Sequence, residues 1–376
     1  MSSRVSVLFF AALLVGASPS ACGSNDSQPN APPGIDGGDA NEAAAPESST
    51  PDLPVALTPP IAPLPLDANA VVPVAIGEPT DYDGALLEDT STGSLAVVFE
   101  RFLSQTEFTA EIRVAHAESD GKFGASSRVD FGSEPLIAGP HVLVRGKDTF
   151  LYFMHGDAAK NRARIARARF SGGAFAASED LVLADTFAGI LAWPCATERG
   201  TDVALAYDHY TASQHVALGD GTSFGAATPF GTGVQGRIAT MTDGTIVGTW
   251  QNGNAADMIA FVRVSKDGAT WTPAVPLATK TNVHDASPFR RADGGVDVYY
   301  ISTEAASHFR IWRRAVRADA SLGPEELVSS ESAGAFTQPH PHRLHDGSVG
   351  LVFARQVTSN VDTDTYMTRI GTDAPP

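Results

Sequence analysis

The feature that most constrains this chain is a unit of about fifty residues that recurs along it. Each copy reads as a loop with Pro or His, a short strand, an Asp-Gly-type turn and a strong apolar strand. A polar loop, a third strand, a turn carrying an aromatic and a short fourth strand complete it. The strong strands fall at Leu95–Phe102, Thr149–His155, Asp202–Tyr210, Thr245–Gln251, Val296–Ser302 and Ser348–Arg355, each rich in β-branched and aromatic residues. The turn residues Phe123, Phe175, Phe224, Trp271 and Leu322 lie 52, 49, 47 and 51 residues apart. A period near fifty with four strands per unit is the spacing of a propeller blade. The expected fold is therefore all-β: a six-bladed β-propeller of four-stranded antiparallel blades over residues 68–376, preceded by a signal peptide and a disordered linker.

One copy of the recurring turn, Ser265-Lys266-Asp267-Gly268-Ala269-Thr270-Trp271, carries a recognisable pattern. Ser and Asp side chains can hold neighbouring backbone N–H groups, Gly supplies a positive φ, and Trp packs between sheets. The turn resembles the Asp box of the sialidase superfamily, with Ser265, Asp267, Gly268 and Trp271 in the structural positions. In that family the boxes lie on the face away from the active site, so they speak for architecture and not for catalysis.

The sixth unit stops after its third strand, near residues 365–370. Ala70–Ala75 resembles the fourth-strand segment Ala274–Ala278, so the N-terminal strand is expected to complete the last blade.

Ahead of the repeats, Arg4 and the apolar run Val5–Val15 read as an export signal, too short to span a bilayer permanently. Small residues lead to Cys22, and the site resembles a bacterial lipobox with Pro19 in place of the usual Leu. The reading is a lipoprotein signal over 1–21 with lipidation at Cys22, cleavage after Ala21 without lipid being the alternative. Residues 22–67 are Pro-, Ala-, Gly- and Asp-rich and read as a disordered tether. The implied location is the cell envelope, as an outer-membrane lipoprotein, or the exterior if Cys22 is not lipidated. A net charge of −17 argues against nucleic acid as a partner.

Blade connectivity sorts loops by face. The turns Asp243-Gly244, Gly294 and Asp346-Gly347 belong with the Asp-box turns. The opposite face is expected to gather His141, His155, His209, His284, His308, His340 and His342 with Tyr82, Trp193, Asp285, Arg237, Arg290 and Arg343. Propeller ligands bind at such a mouth. The sialidase resemblance implies a carboxylate grip by three arginines, a Tyr-Glu nucleophile and an Asp acid/base. Arg237, Arg290 and Arg343 are the candidate grip. The family's Phe-Arg-Ile-Pro signature is absent, and Asp81-Tyr82-Asp83-Gly84 stands in its place.

Three functions follow. The leading one is a module that binds a glycan or other anionic ligand through Tyr82, His141, Trp193, Arg237, His284, Arg290, His340, His342 and Arg343, without sialidase catalysis. The second is a glycoside hydrolase with Asp81 or Asp285 as acid. The third is a protein-interaction platform of the cell envelope. No cofactor is implied, although His340, His342, His284, Asp285 and His141 leave a divalent metal open.

Overall fold

The structure is a computed structural model and describes residues 60–372 apart from 78–79, 90–92, 105, 186–188, 210–212, 254–257, 281, 304–308, 331–334 and 357–362. The expected leader, Cys22, most of the expected tether and His308 lie outside the described residues.

Every expected apolar run is a strand hydrogen-bonded on both sides: Ser94–Ser104, Asp148–Asp157, Asp202–His209, Ile246–Asn252, Val296–Thr303 and Ser348–Gln356. Each is the second strand of an antiparallel array. Their near-continuous apolar character follows from position, because both faces are covered by neighbouring sheets and little of either meets water. In Ser94–Ser104 the seven residues from Leu95 to Arg101 are all buried.

The first strands of the arrays are Asp81–Asp89, Leu136–Arg145, Leu191–Arg199, Val234–Thr240, His284–Arg290 and Phe336–Arg343. Each packs against the first strand of the next array, and the last packs against the first. The hydrogen-bonded sheets hold nine, six, four, four and five strands. The nine-stranded sheet is two antiparallel arrays joined at one parallel pair, Ala110 opposite Leu136.

Short outer strands end most arrays: Ser127–Arg128, Glu179–Asp180, Thr228–Thr232, Val275–Pro276 and Glu326–Leu327. In the last array Val72–Ala75 takes that place, antiparallel to Thr363–Thr372, with Val72 opposite Met367 and Ala75 opposite Thr365. This is the placement the sequence suggested. The packed part begins earlier than residue 68, however. Ile61–Ala62 pairs in parallel with Arg369 and Ile370, and Leu66 is fully buried among Val328, Ile311 and Ile370. The polar, Pro-rich surroundings of these few apolar residues hide them from a reading by composition.

The core is a series of interfaces between sheets. Leu86, Val97 and Phe99 of the first array meet Val74, Val352 and Met367 of the last. Contact there is close: a Cβ added at Gly84 would lie 2.4 Å from Val352 Cγ1. Phe230, Trp250 and Trp271 pack between the third and fourth arrays.

The Asp-box turn is built as its residue types require. Asp267 Oδ1 accepts from the N–H groups of Ala269 (2.8 Å) and Thr270 (2.7 Å) and from Ser265 Oγ (3.0 Å). Ser265 Oγ accepts from Gly268 N–H at 2.8 Å, and Gly268 has φ +79°. These backbone donors hold the Asp267 carboxyl well below the usual carboxylate range. Trp271 lies 5.2 Å, centroid to centroid, from Phe230. The related turns keep the Asp contact: Asp220 accepts from Thr222 and Ser223, and Asp319 from Ser321.

Two outcomes test this packing. Gly84→Ala should destabilise the protein by about 1–3 kcal/mol through overpacking, read as a lowered midpoint in denaturant unfolding. Asp267→Ala should cost about 1–3 kcal/mol by leaving turn donors unpaired, with no change in any ligand response of the opposite face.

Candidate functional site

The six first strands share one irregularity near their starts. Pairing slips between Tyr82 and Ala85, Ala138 and His141, Ala192 and Cys195, Val234 and Arg237, His284 and Ser287, and Thr337 and His340. At each slip a residue has positive φ: Asp83 (44°), Gly139 (61°), Trp193 (46°), Gln235 (56°), Asp285 (53°) and Gln338 (51°). These are β-bulges, which commonly re-aim side chains beside functional sites. The next residue is Gly84, Pro140, Pro194, Gly236, Ala286 or Pro339. Proline fits there because the interrupted ladder does not need its missing N–H.

A left-handed conformation costs a non-glycine residue about 1–2 kcal/mol, so the bulges need support. Side chains of the neighbouring arrays supply it at five of the six. Glu100 Oε2 accepts from Gly139 N–H (2.8 Å), and Asp208 accepts from Gln235 N–H (2.6 Å) and Gly236 N–H (2.9 Å). Gln251 Oε1 accepts from Asp285 N–H at 2.7 Å. Glu100, Asp208 and Gln251 hold equivalent places on the second strands, opposite Tyr82, Ala192 and Val234. Ile301 and Ala354 occupy that place in the last two arrays. There the bulge side chains take over: Asp285 Oδ2 accepts from Gln338 N–H and Gln338 Oε1 from Asp83 N–H, both at 3.1 Å.

Two residues beyond each bulge residue stand Ala85, His141, Cys195, Arg237, Ser287 and His340, one per array, on strands that touch in a cycle. Arg237 Nη2 donates to Asp83 Oδ1 at 3.0 Å, and its Nη1 lies 3.3 Å from His340 Nδ1. His340 Nε2 is 3.3 Å from the same Asp83 oxygen. All three are buried. Burial would raise the Asp83 carboxyl, but His340 and Arg237 outweigh it and hold it low. Burial and the Arg237 charge lower His340. His141 donates through Nε2 to Ala196 O at 2.9 Å, and burial pushes it down to about 3. His342, four residues past its bulge, is pushed well down by burial and by His340 and His141.

Several buried polar atoms of this region have no protein partner: His141 Nδ1, Gln235 Oε1, Ser287 Oγ, Thr337 Oγ1 and His342 Nε2. Buried polar groups normally find partners. These atoms are hydrogen-bonding capacity that the described residues leave unused.

The carboxyls around the bulges are unusual. Burial pushes Glu100 up to about 8, reinforced by the Asp83 charge and opposed by the Gly139 N–H. Burial pushes Asp208 up to about 7 against its two backbone donors. Asp81 rises to about 6 through burial, while both its oxygens are taken by Arg101 at 2.7 and 2.9 Å. Tyr82 is partly buried, edge-on to Phe102 at 5.9 Å, and its hydroxyl is pushed up to about 12 by burial and by Asp285, Glu100 and Asp83.

The structure brings Tyr82, His141, Trp193, Arg237, His284, Asp285 and His340 to the bulge end of the first strands or just inside it. His284 Nδ1 lies 3.3 Å from Asp285 Oδ2, and Phe309 stands edge-on to it at 5.0 Å. Arg290 and Arg343 are not there, which corrects the expected three-arginine grip. They lie five residues past their bulges, beside the turns at 291–295 and 344–348, where Arg290 reaches Thr242 Oγ1 and Arg343 donates to Arg290 O. Arg237 lies only two past its bulge. The three-residue difference is about 10 Å along a strand and, being odd, turns the side chain to the other sheet face. Arg237 is moreover already paired.

A metal centre gains no support: among the described residues no group of three or more His, Cys, Asp or Glu could hold an ion. The Arg237 cation beside His340 gives an electrostatic reason. Sequence reasoning passed over Glu100, Gln235, Gln251, Ser287, Thr337 and Gln338. The signal that points to the bulges is the recurring tripeptide Asp83-Gly84-Ala85, Gly139-Pro140-His141, Trp193-Pro194-Cys195, Gln235-Gly236-Arg237, Asp285-Ala286-Ser287, Gln338-Pro339-His340.

No family model and no curated protein sequence matches the chain. Solved structures do. A Dyadobacter fermentans protein of unknown function superposes with TM-score 0.63 at 13% identity, covering 80% of this chain and 98% of the other. The leech intramolecular trans-sialidase gives 0.56 at 11%, covering 78% and 68%. An α-L-arabinofuranosidase of Fusarium graminearum gives 0.56 at 10%, covering 79% and 97%. The likeness is one of fold: the chain folds like the sialidase β-propellers, the architecture that the Asp box implied.

The raised Glu100 carboxyl makes a signed prediction. With its folded value about 8 against an unfolded value near 4.5, the native state holds a proton that the unfolded chain has lost between those limits. Stability should therefore fall across that window as pH rises. Glu100→Gln keeps an acceptor for Gly139 and should be more stable than the parent at pH 8.5 by at least about 1 kcal/mol, the two converging near pH 4. Parallel pH–stability curves for parent and variant would refute this.

Proposed function

We propose that the chain is an exported six-bladed β-propeller that binds a glycan at the bulge-lined mouth of its central channel and does not catalyse sialidase chemistry. Counting the nine-stranded sheet as two arrays, and the cyclic contact of the first strands, support the six-bladed reading. One observation carries the functional reading. Arg237 is bound to Asp83 and His340, while Arg290 and Arg343 lie at the other end of their strands. A carboxylate grip needs charge-assisted donors free to converge on one anion, and this arrangement does not supply them. Glycan binding is supported by a mouth that combines partly exposed Tyr82 and Trp193 rings with polar atoms lacking protein partners. It is also consistent with the sugar-processing names among the structural neighbours.

A glycoside hydrolase is the second reading, favoured by the raised Glu100 and Asp208 carboxyls. Each retains a proton near neutral pH, as a general acid must. Asp81, held by both oxygens, and Asp285, clasped to Gln338, serve that role less well than expected.

The sequence before the fold supports anchoring through a lipidated Cys22, with the Pro- and Ala-rich segment as tether. Replacing Cys22 by Ala should move the protein from the membrane fraction of an expressing bacterium to the soluble one, and unchanged fractionation would count against the anchor.

The purified protein should release no fluorophore from a fluorogenic sialoside over hours at pH 5–8, while thermal shifts with a glycan panel reveal stabilisation. Sialoside turnover lost in Arg237→Ala would overturn the non-sialidase reading. Turnover of a neutral aryl glycoside that disappears in Glu100→Gln would establish the hydrolase instead.

A further inference from the structure

The glycan-binding reading leaves open which sugars the mouth would accept, and the charge around it bears on that choice. The one arginine two residues past a bulge, Arg237, has its charge matched by Asp83 at 3.0 Å. Of the acids nearby, Glu100, Asp208 and Asp285 serve as clasps, Glu100 and Asp208 holding protons near neutral pH, and Asp81 is already paired with Arg101. The Tyr82 hydroxyl feels Asp285, Glu100 and Asp83 together. The histidines add no positive charge near neutral pH, since burial lowers His141, His340 and His342. An acidic ligand would thus give up its hydration where Arg237 and Arg101 are already matched by Asp83 and Asp81, a costly arrangement.

Uncharged hydroxyls fit what is present. Gln235, Ser287 and Thr337 are 8%, 5% and 9% exposed, and Gln235 Oε1, Ser287 Oγ and Thr337 Oγ1 lack protein partners. Gln235 Oε1 can accept only, whereas the two hydroxyls can donate or accept. Gln235 is itself a bulge residue, Thr337 directly precedes one, and Ser287 lies two beyond another, on adjacent arrays whose first strands touch.

We propose that Gln235, Ser287 and Thr337 form a subsite for the hydroxyl groups of an uncharged sugar, which the mouth prefers to sialic and uronic acids because the Arg237 charge is already matched by Asp83. This rests on the glycan-binding reading and specifies it. The subsite runs across the fourth, fifth and sixth arrays, the same three that carry the arginines once expected to grip a carboxylate. Its selectivity is the reverse of what those arginines would have conferred.

Calorimetric titration of the full chain at pH 7 tests the proposal, with lactose, cellobiose and arabinobiose as neutral probes and 3′-sialyllactose and digalacturonate as acidic ones. At least one neutral sugar should bind at least about tenfold tighter than either acidic sugar. Ser287→Ala and Thr337→Val remove hydroxyls that have no protein partner, so both should fold as stably as the parent. Each should weaken the neutral sugar about three- to tenfold, the loss of one neutral hydrogen bond. Tighter binding of an acidic sugar would overturn the selectivity while leaving glycan binding intact. Neutral binding unaffected by both variants would overturn the placement of the subsite. Binding of none of the five sugars would remove the glycan reading itself and this inference with it.

Discussion

A bulge near the start of every first strand needs an acceptor for its N–H, and most of the molecule's central organisation answers that need. Five of the six bulge residues are not glycine, and each sits in a conformation that costs about 1–2 kcal/mol unless its surroundings hold it. At five of the six the acceptor comes from a neighbouring array: Glu100, Asp208 and Gln251 from second strands, Asp285 and Gln338 from the bulges themselves. Each clasp therefore does two things. It fixes a strained turn, and it ties one sheet to another around the centre.

This dual use explains the unusual carboxyls. Glu100 and Asp208 are buried because a clasp must reach between sheets, and burial raises them despite the backbone N–H groups they accept from. Asp83 is equally buried but lies against Arg237 and His340, and it is held low. Neighbouring acids of one small region are thus pushed apart in acidity by their partners. Such separation often accompanies function. Here it follows first from construction, and any role in binding or proton transfer is built on groups the fold already requires.

Much of the fold was legible in the sequence. The fifty-residue period, the six apolar runs and the aromatic turns all depend on local pattern, and each run is a strand where it was expected. Ser265–Trp271 could be read directly because its hydrogen bonds join residues within five positions of one another. The strand at Val72–Ala75 was visible because the last unit lacked a fourth strand. Ile61, Ala62 and Leu66 were missed because a few apolar residues in a Pro-rich segment carry no period.

The site was less legible. His141, Arg237, Asp285 and His340 stand at the bulge end of their strands, while Arg290 and Arg343 stand at the other. The difference is register: a bulge resets which residue faces which way, and counting from a loop boundary misses it. The clasps were invisible because their partners are far apart in the chain, Asp83 and Gln338 being separated by 255 residues. The sequence by itself determined the strands, the turns and the number of times they recur, since these follow from alternation, β-propensity and turn chemistry within one unit. Only the tertiary structure decided that Arg237 is bound to Asp83 and His340 and so is not free to grip an acid. That pairing joins the first, fourth and sixth arrays, and it exists only once their first strands have come together around a common centre.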